Sequence, residues 1–212
     1  MPEENKKDEG PGLYQIFLKD KITPEGLEDH FETLTSLPYG SSLMIWLNSP
    51  GGSPQTGFML DDKLAAKNIN VTYISYLFNA SAACTLPQLS DAIRLSYPHS
   101  VFTFHGASIH VGNRRDQFDM IVGYAAESID RTNDRCMAKV GLSKKDFKKF
   151  NGDDIIFYGY QLLDVGEHGW IDGLILKEHG AGKFLIKTRD GNKIIDVSKH
   201  KRSDIKGLPV VE

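Results

Sequence analysis

The serine of "F-N-A-S-A-A-C-T-L", residues 78–86, stands among alanines where a β-rich run, "V-T-Y-I-S-Y-L-F", ends. Two kinds of chemistry suit Ser81. Its hydroxyl can cap a helix by accepting a bond from an amide two or three residues on. It can equally be a nucleophile presented at a strand end, with those amides turned toward an oxyanion. A nucleophilic serine needs a base for its proton and donors for the developing negative charge. His105 closes the apolar stretch "V-F-T-F" and precedes Gly106, so its ring can emerge at a strand end beside a loop; His110 is a competing base further into that loop. Gly51 and Gly52 in "N-S-P-G-G-S" allow the backbone to approach a ligand closely, or form an ordinary Pro-Gly turn. Asp153 and Asp154 in "N-G-D-D-I-I-F-Y-G" supply a carboxylate able to hold an imidazole, or are turn acids. "H-G-A-S-I-H" has the spacing of no common zinc site, and "H-G-A-G-K" lacks phosphate-loop spacing.

The elements that must position these residues alternate. "L-Y-Q-I-F-L" (13–18) is a first strand, followed by a helix with Thr23 at its cap, Pro24 at its first position and Leu27, Phe31 and Leu34 on one face. "S-L-M-I-W-L-N" (42–48) is a continuous apolar run, as in a parallel sheet covered on both faces. A helix over 56–66, a strand over 71–78, and strands over 92–96 and 101–105 come next. From about 116 to 140 the apolar residues 118, 121, 122, 125, 129, 136 and 140 suit one face of a long helix. A short helix capped by Ser143 follows, and Asp190-Gly191 lies between two β-rich arms, the signal of a hairpin. Strands alternating with helices predict an α/β fold.

Composition narrows the function classes. A net charge of −3 gives no global reason to expect nucleic-acid binding, and "K-H-K-R" at 199–202 reads as a solvated tail. No apolar run is long enough to span a bilayer, so no membrane partner is expected. The charged start, residues 1–12, reads as a disordered tail without the apolar region of a signal peptide. Cys84 and Cys136 sit in apolar settings that suit reduced, buried thiols, which points to the cytoplasm.

Taken together, "L-N-S-P-G-G-S", "N-A-S-A-A-C", "F-T-F-H-G" and "G-D-D-I-I-F-Y-G…G-W-I-D" resemble the Clp protease proteolytic-subunit family, within the fold group that also contains the crotonases. The order is Ser81, His105, Asp154, with 29 residues from Gly52 to Ser81, 24 more to His105 and 49 more to Asp154. The resemblance covers roughly residues 14 to 176. It departs at Ala82 and Ala83, where the family commonly has Met-Gly, at Pro87 inside the following helix, and after His105, where the usual Gln-Pro is missing.

The resemblance implies a Clp/crotonase-like α/β fold of repeated ββα units with a projecting handle helix. The peptidase domain would span residues 13–176, with residues 177–212 as a hairpin extension and tail. It implies a serine endopeptidase in which Ser81 attacks, His105 is the base, Asp154 holds the ring, and the amides of Gly52 and Ala82 bind the oxyanion. No metal or organic cofactor is implied. The partners implied are a polypeptide substrate, copies of the chain in stacked rings enclosing a chamber, and an ATP-dependent unfoldase. Three alternatives stay open: an inactive subunit that binds or regulates an active one, a signal-peptide or phage-maturation peptidase, and a crotonase-type acyl-CoA enzyme.

Overall fold

The computed structural model describes residues 11–107, 118–150, 152 and 154–211. The expected tail up to residue 10, the first two residues of the expected long helix, His110 and Asp153 lie outside them.

The chain begins with β1 (Leu13–Leu18), a 3-10 turn over Glu25–Leu27 and α1 (Glu28–Ser36). β2 (Ser42–Leu47), α2 (Pro54–Ala66), β3 (Asn70–Ser75) and β4 (Phe78–Ala80) follow. Then come α3 (Ala82–Thr85), β5 (Ile93–Ser96), β6 (Val101–Phe104) and α4 (Phe118–Val140). The remainder is α5 (Lys144–Phe147), β7 (Ile155–Tyr158), α6 (Gly159–Leu162), β8 (Gly173–Glu178), β9 (Lys183–Thr188) and β10 (Gly191–Asp196).

These elements make a mixed α/β protein with two sheets. The larger has the order β1-β2-β3-β5-β8-β9-β10, and the smaller β4-β6-β7. From β1 to β8 the large sheet is parallel; β9 and β10 add to it antiparallel. The hairpin of the expected extension is therefore continuous with the main sheet. β2 carries apolar side chains on both faces because both are covered: Leu43, Ile45 and Leu47 meet Phe58, Leu60 and Leu64 of α2, while Met44 meets Ile186 and Ile195 of the hairpin.

Several expectations change. The run expected as one strand over 71–78 breaks in two, because Leu77 adopts φ 55° and steers the chain from the large sheet into the small one. The Thr23 hydroxyl accepts from Gly26 N at 3.1 Å, but the first turn it caps is 3-10 rather than α. Phe31 faces solvent at 59% exposure, under the Lys63 ammonium, while Leu34 is buried. Of the expected apolar stripe of α4, Cys136 and Val140 are buried, Ile121, Val122, Ala125 and Ile129 are half-buried and Phe118 is exposed; Ser128 and Thr132, which the stripe did not include, are buried as well, small side chains that let the helix lie close.

At the hairpin Thr188 pairs with Gly191, so the two-residue loop is Arg189-Asp190 and the glycine opens β10. Arg202 is no solvated tail residue: its guanidinium donates to Asp172, and the 3-10 segment Arg202–Gly207 buries Ile205. Pro87 fits because α3 is only four residues long and hands over to a 3-10 turn, Leu86–Gln88, with the proline in its first turn, where its missing N–H costs nothing.

Candidate active site

Ser81 sits at the C-terminal end of β4 and the start of α3, with φ 54° and ψ −125°. A helix-capping serine has ordinary extended geometry and accepts an amide bond; Ser81 has neither, since its side chain makes no capping bond. A non-glycine residue in this region costs on the order of 1–3 kcal/mol and persists only where its surroundings over-determine it. They do so here. Ala80 N donates to Ser49 O at 3.0 Å, Ser81 N to Thr103 O at 2.9 Å, and Cys84 N to Ser81 O at 2.9 Å. The far end of the turn is pinned by the Trp170 indole N–H, which donates to Cys84 O at 2.9 Å.

The "S-P-G-G" loop closes over this turn. A Cβ on Gly51, whose φ is 94°, would lie 2.5 Å from Ala80 O and 2.7 Å from Ser81 Cβ. Gly52 is packed from the other side, where a Cβ would lie 2.4 Å from Ile22 O. Ile22 N donates to Gly51 O and Ser53 N donates to Ile22 O, so the intervening Gly52 turns its own N–H away from Ile22. Ala82 opens α3, where an N–H has no intrahelical partner. Neither amide donates to a described residue.

The small sheet brings the base alongside. Ala80 pairs with Thr103 across parallel β4 and β6, so Ser81 and His105 leave neighbouring strands at the same end. Antiparallel β7 enters at that end, its last pair being Phe104–Ile155, and one more step in this register would set Asp154 opposite His105. The sheet order thus carries the residues in the sequence serine, histidine, aspartate.

Side-chain contacts unite only part of this set. Gly52, Ser81, Ala82 and His105 line one cleft of about 600 Å³, whereas Asp154 is exposed and lines none of it. His105 Nδ1 lies 2.7 Å from Gly106 O, and no hydrogen bond or ion pair joins His105 to Asp154 or to the Ser81 hydroxyl. A carbonyl oxygen only accepts, so Nδ1 carries the proton and, in the neutral ring, Nε2 is the basic nitrogen. The bond expected from Asp154 to the ring is not among these contacts.

Sequence reasoning passed over the cleft's floor. Phe104, Phe147, Phe150 and Trp170 form it, with Phe104 edge-on to Phe150 and Trp170 at 5.2 and 4.8 Å between ring centroids. Spacing gave no signal for it, because the rings come from the end of β6, from α5 and the turn that continues it, and from the loop before β8. Lys21, carried beside Gly52 by the Ile22 bridge, is the one lysine, arginine or carboxylate among the described lining residues.

Cys84, three residues after Ser81, is not a rival nucleophile. Burial pushes its thiol up, far from the thiolate range, and its S–H donates to Asn79 O at 3.3 Å. Compared with models of known protein families the chain matches none, and no curated protein is significantly similar to it.

Proposed function

We propose that this protein is a serine endopeptidase, with Ser81 as nucleophile, His105 as general base and the amides of Gly52 and Ala82 as oxyanion donors. The observation that carries the reading is the strained Ser81 turn, which shares one cleft with two uncommitted amides and a histidine whose basic nitrogen is Nε2. Attack by Ser81 Oγ on a peptide carbonyl passes its proton to Nε2, and the electron pair of the carbonyl moves onto the oxygen facing the two N–H groups. Collapse then breaks the C–N bond as Nε2–H protonates the leaving amine. Water, deprotonated by the same nitrogen, releases the acyl group from Ser81. The aromatic floor suits an apolar side chain beside the scissile bond.

The architecture supports a Clp/crotonase-like assignment, because a strand of the large sheet twice runs on into a strand of the small one and then to a helix, in β3-β4-α3 and β5-β6-α4. We propose further that copies of the chain associate, since Phe118, Met120 and Tyr124 at the start of α4 are 50%, 66% and 57% exposed. A chamber of stacked rings, access restricted to unfolded chains, an ATP-dependent unfoldase and a cytoplasmic setting rest on the sequence resemblance and composition alone. Among the described residues no helix is long and apolar enough to cross a membrane.

An active-site-directed fluorophosphonate tests the reading. It should modify Ser81, as read by peptide mass spectrometry, and leave Ser81→Ala unmodified. Equal modification of both, or of neither, in folded protein would favour a non-catalytic binding subunit.

A further inference from the structure

We infer that Lys21 selects peptides that carry a carboxylate, from an acidic side chain or a free C-terminus, close to the bond cut at Ser81. The inference rests on the serine-peptidase reading and names the substrate class of that site. The cleft is apolar or neutral nearly throughout: aromatic rings floor it, and Gln55, Ser128, Thr132 and Asn133 add uncharged polar groups. Lys21 supplies the one lasting charge among its described lining residues.

The fold holds this lysine at the oxyanion donors. Ile22, 2% exposed, forms a parallel bridge with Gly52, and Ile22 N donates to Gly51 O at 2.9 Å. Paired backbones lie about 4.8 Å apart and successive Cα atoms 3.8 Å, so Lys21 starts within about 9 Å of Gly52, the span of about three residues of extended peptide. Its main chain is tied on the other side too, where Thr23 N donates to Lys21 O at 2.9 Å and Gly26 leaves no room for a Cβ beside that oxygen. Only the flexible stem and its ammonium are left to move.

Neighbours do not share the task. The Lys19 ammonium stands 5.8 Å from the centre of the Phe17 ring, and neither Lys19 nor Asp20 lines the cleft. Lysines that the fold uses for its own stability are committed, Lys139 to Asp91 at 2.7 Å and Lys193 to Ile205 O at 2.8 Å. Lys21 donates to no described residue. With a net charge of −3, the molecule as a whole does not attract acidic chains, so selection must be local. An ion pair in open water gives a few-fold preference, and a bound peptide that displaces water strengthens it.

The test compares peptides that differ only in Asp or Asn at each of three positions on either side of the cut bond, ending in an amide or a free carboxylate. At low salt, kcat/KM should favour one Asp position, or the free end, by about three- to tenfold, and the preference should shrink as salt rises. Lys21→Arg should keep it, Lys21→Met should level it, and Lys21→Glu should turn it toward Lys over Gln. A loss of packing alone would not reverse the sign. A preference confined to the free end assigns the carboxylate to the chain terminus, and one that persists with the amide assigns it to a side chain. An unaltered Asp-to-Asn ratio in Lys21→Glu, or no preference anywhere in the wild type, would overturn the inference. Fluorescence anisotropy of the same peptides on Ser81→Ala gives a readout without turnover. There the acidic peptides should bind more tightly, and equal affinity for all, or for none, would also overturn it. A wild type that neither cleaves nor labels strikes at the peptidase reading, while the binding order still decides Lys21.

Discussion

At Ser81 the backbone stands at φ 54° and ψ −125°, and bonds from Ala80 N to Ser49 O and from Ser81 N to Thr103 O tie it to the loop that leaves β2 and to β6. Gly51 lies against it so closely that a methyl group there would need the space of Ala80 O and Ser81 Cβ. Gly51→Ala also forces alanine into φ 94°, so the loop or the turn must move. We expect it to cost roughly 1–3 kcal/mol in urea unfolding. Fluorophosphonate labelling of Ser81 should fall by about two decades, comparable to losing one oxyanion donor. Full labelling in a folded Gly51→Ala protein would show that the loop does not set the nucleophile. The residue types of the site were legible in the sequence because strand-end serine, strand-end histidine and paired glycines each have few roles. The exposure of Asp154 was not, because side-chain exposure at a strand start leaves no mark in composition or spacing.

Elements hold the site through buried polar ties. Arg94 of β5 is 1% exposed and forms a two-pronged pair with Asp172, its Nη2 and Nε at 2.6 and 3.0 Å from the two oxygens. Arg94 also bonds Gln88, whose amide donates to Trp170 O at 2.8 Å, and the Trp170 indole donates to the end of α3. A chain of bonds therefore runs from the start of β8 to the Ser81 turn. Asp172→Ala leaves Arg94 buried without its counter-charge, and should destabilise the fold by roughly 3–5 kcal/mol in denaturant unfolding. A loss under about 1 kcal/mol would mean that water or another group satisfies the guanidinium. Most strands and helices were readable from periodicity, as β1, β2 and α2 show. The break at Leu77 was not, because "V-T-Y-I-S-Y-L-F" is β-rich throughout and only the need to change sheets divides it. The buried face of α4 was legible only in part: helix period located Cys136 and Val140, but not the small polar residues Ser128 and Thr132 that close packing also buries.

Across the whole molecule, apolar surface is unevenly covered. The start of α4 leaves Phe118 and Met120 largely in water, a cost that association would remove. Sedimentation velocity at micromolar concentration should show a species larger than one 23.7 kDa chain, and Phe118→Lys with Met120→Lys should shift it toward the monomer. A monomeric wild type would remove the proposed association. Two sheets meeting at Leu77 have a further meaning for the site. Gly52 is carried by the loop that leaves β2 of the large sheet, whereas Ser81 and His105 ride on β4 and β6 of the small one. Donor and nucleophile thus stand on opposite banks of a seam, joined there by Ala80 N to Ser49 O and by the Gly51 contact. Any force that slides one sheet past the other would detune the oxyanion cradle before it unfolded either, so the alignment of the seam acts as a tuning setting for the chemistry.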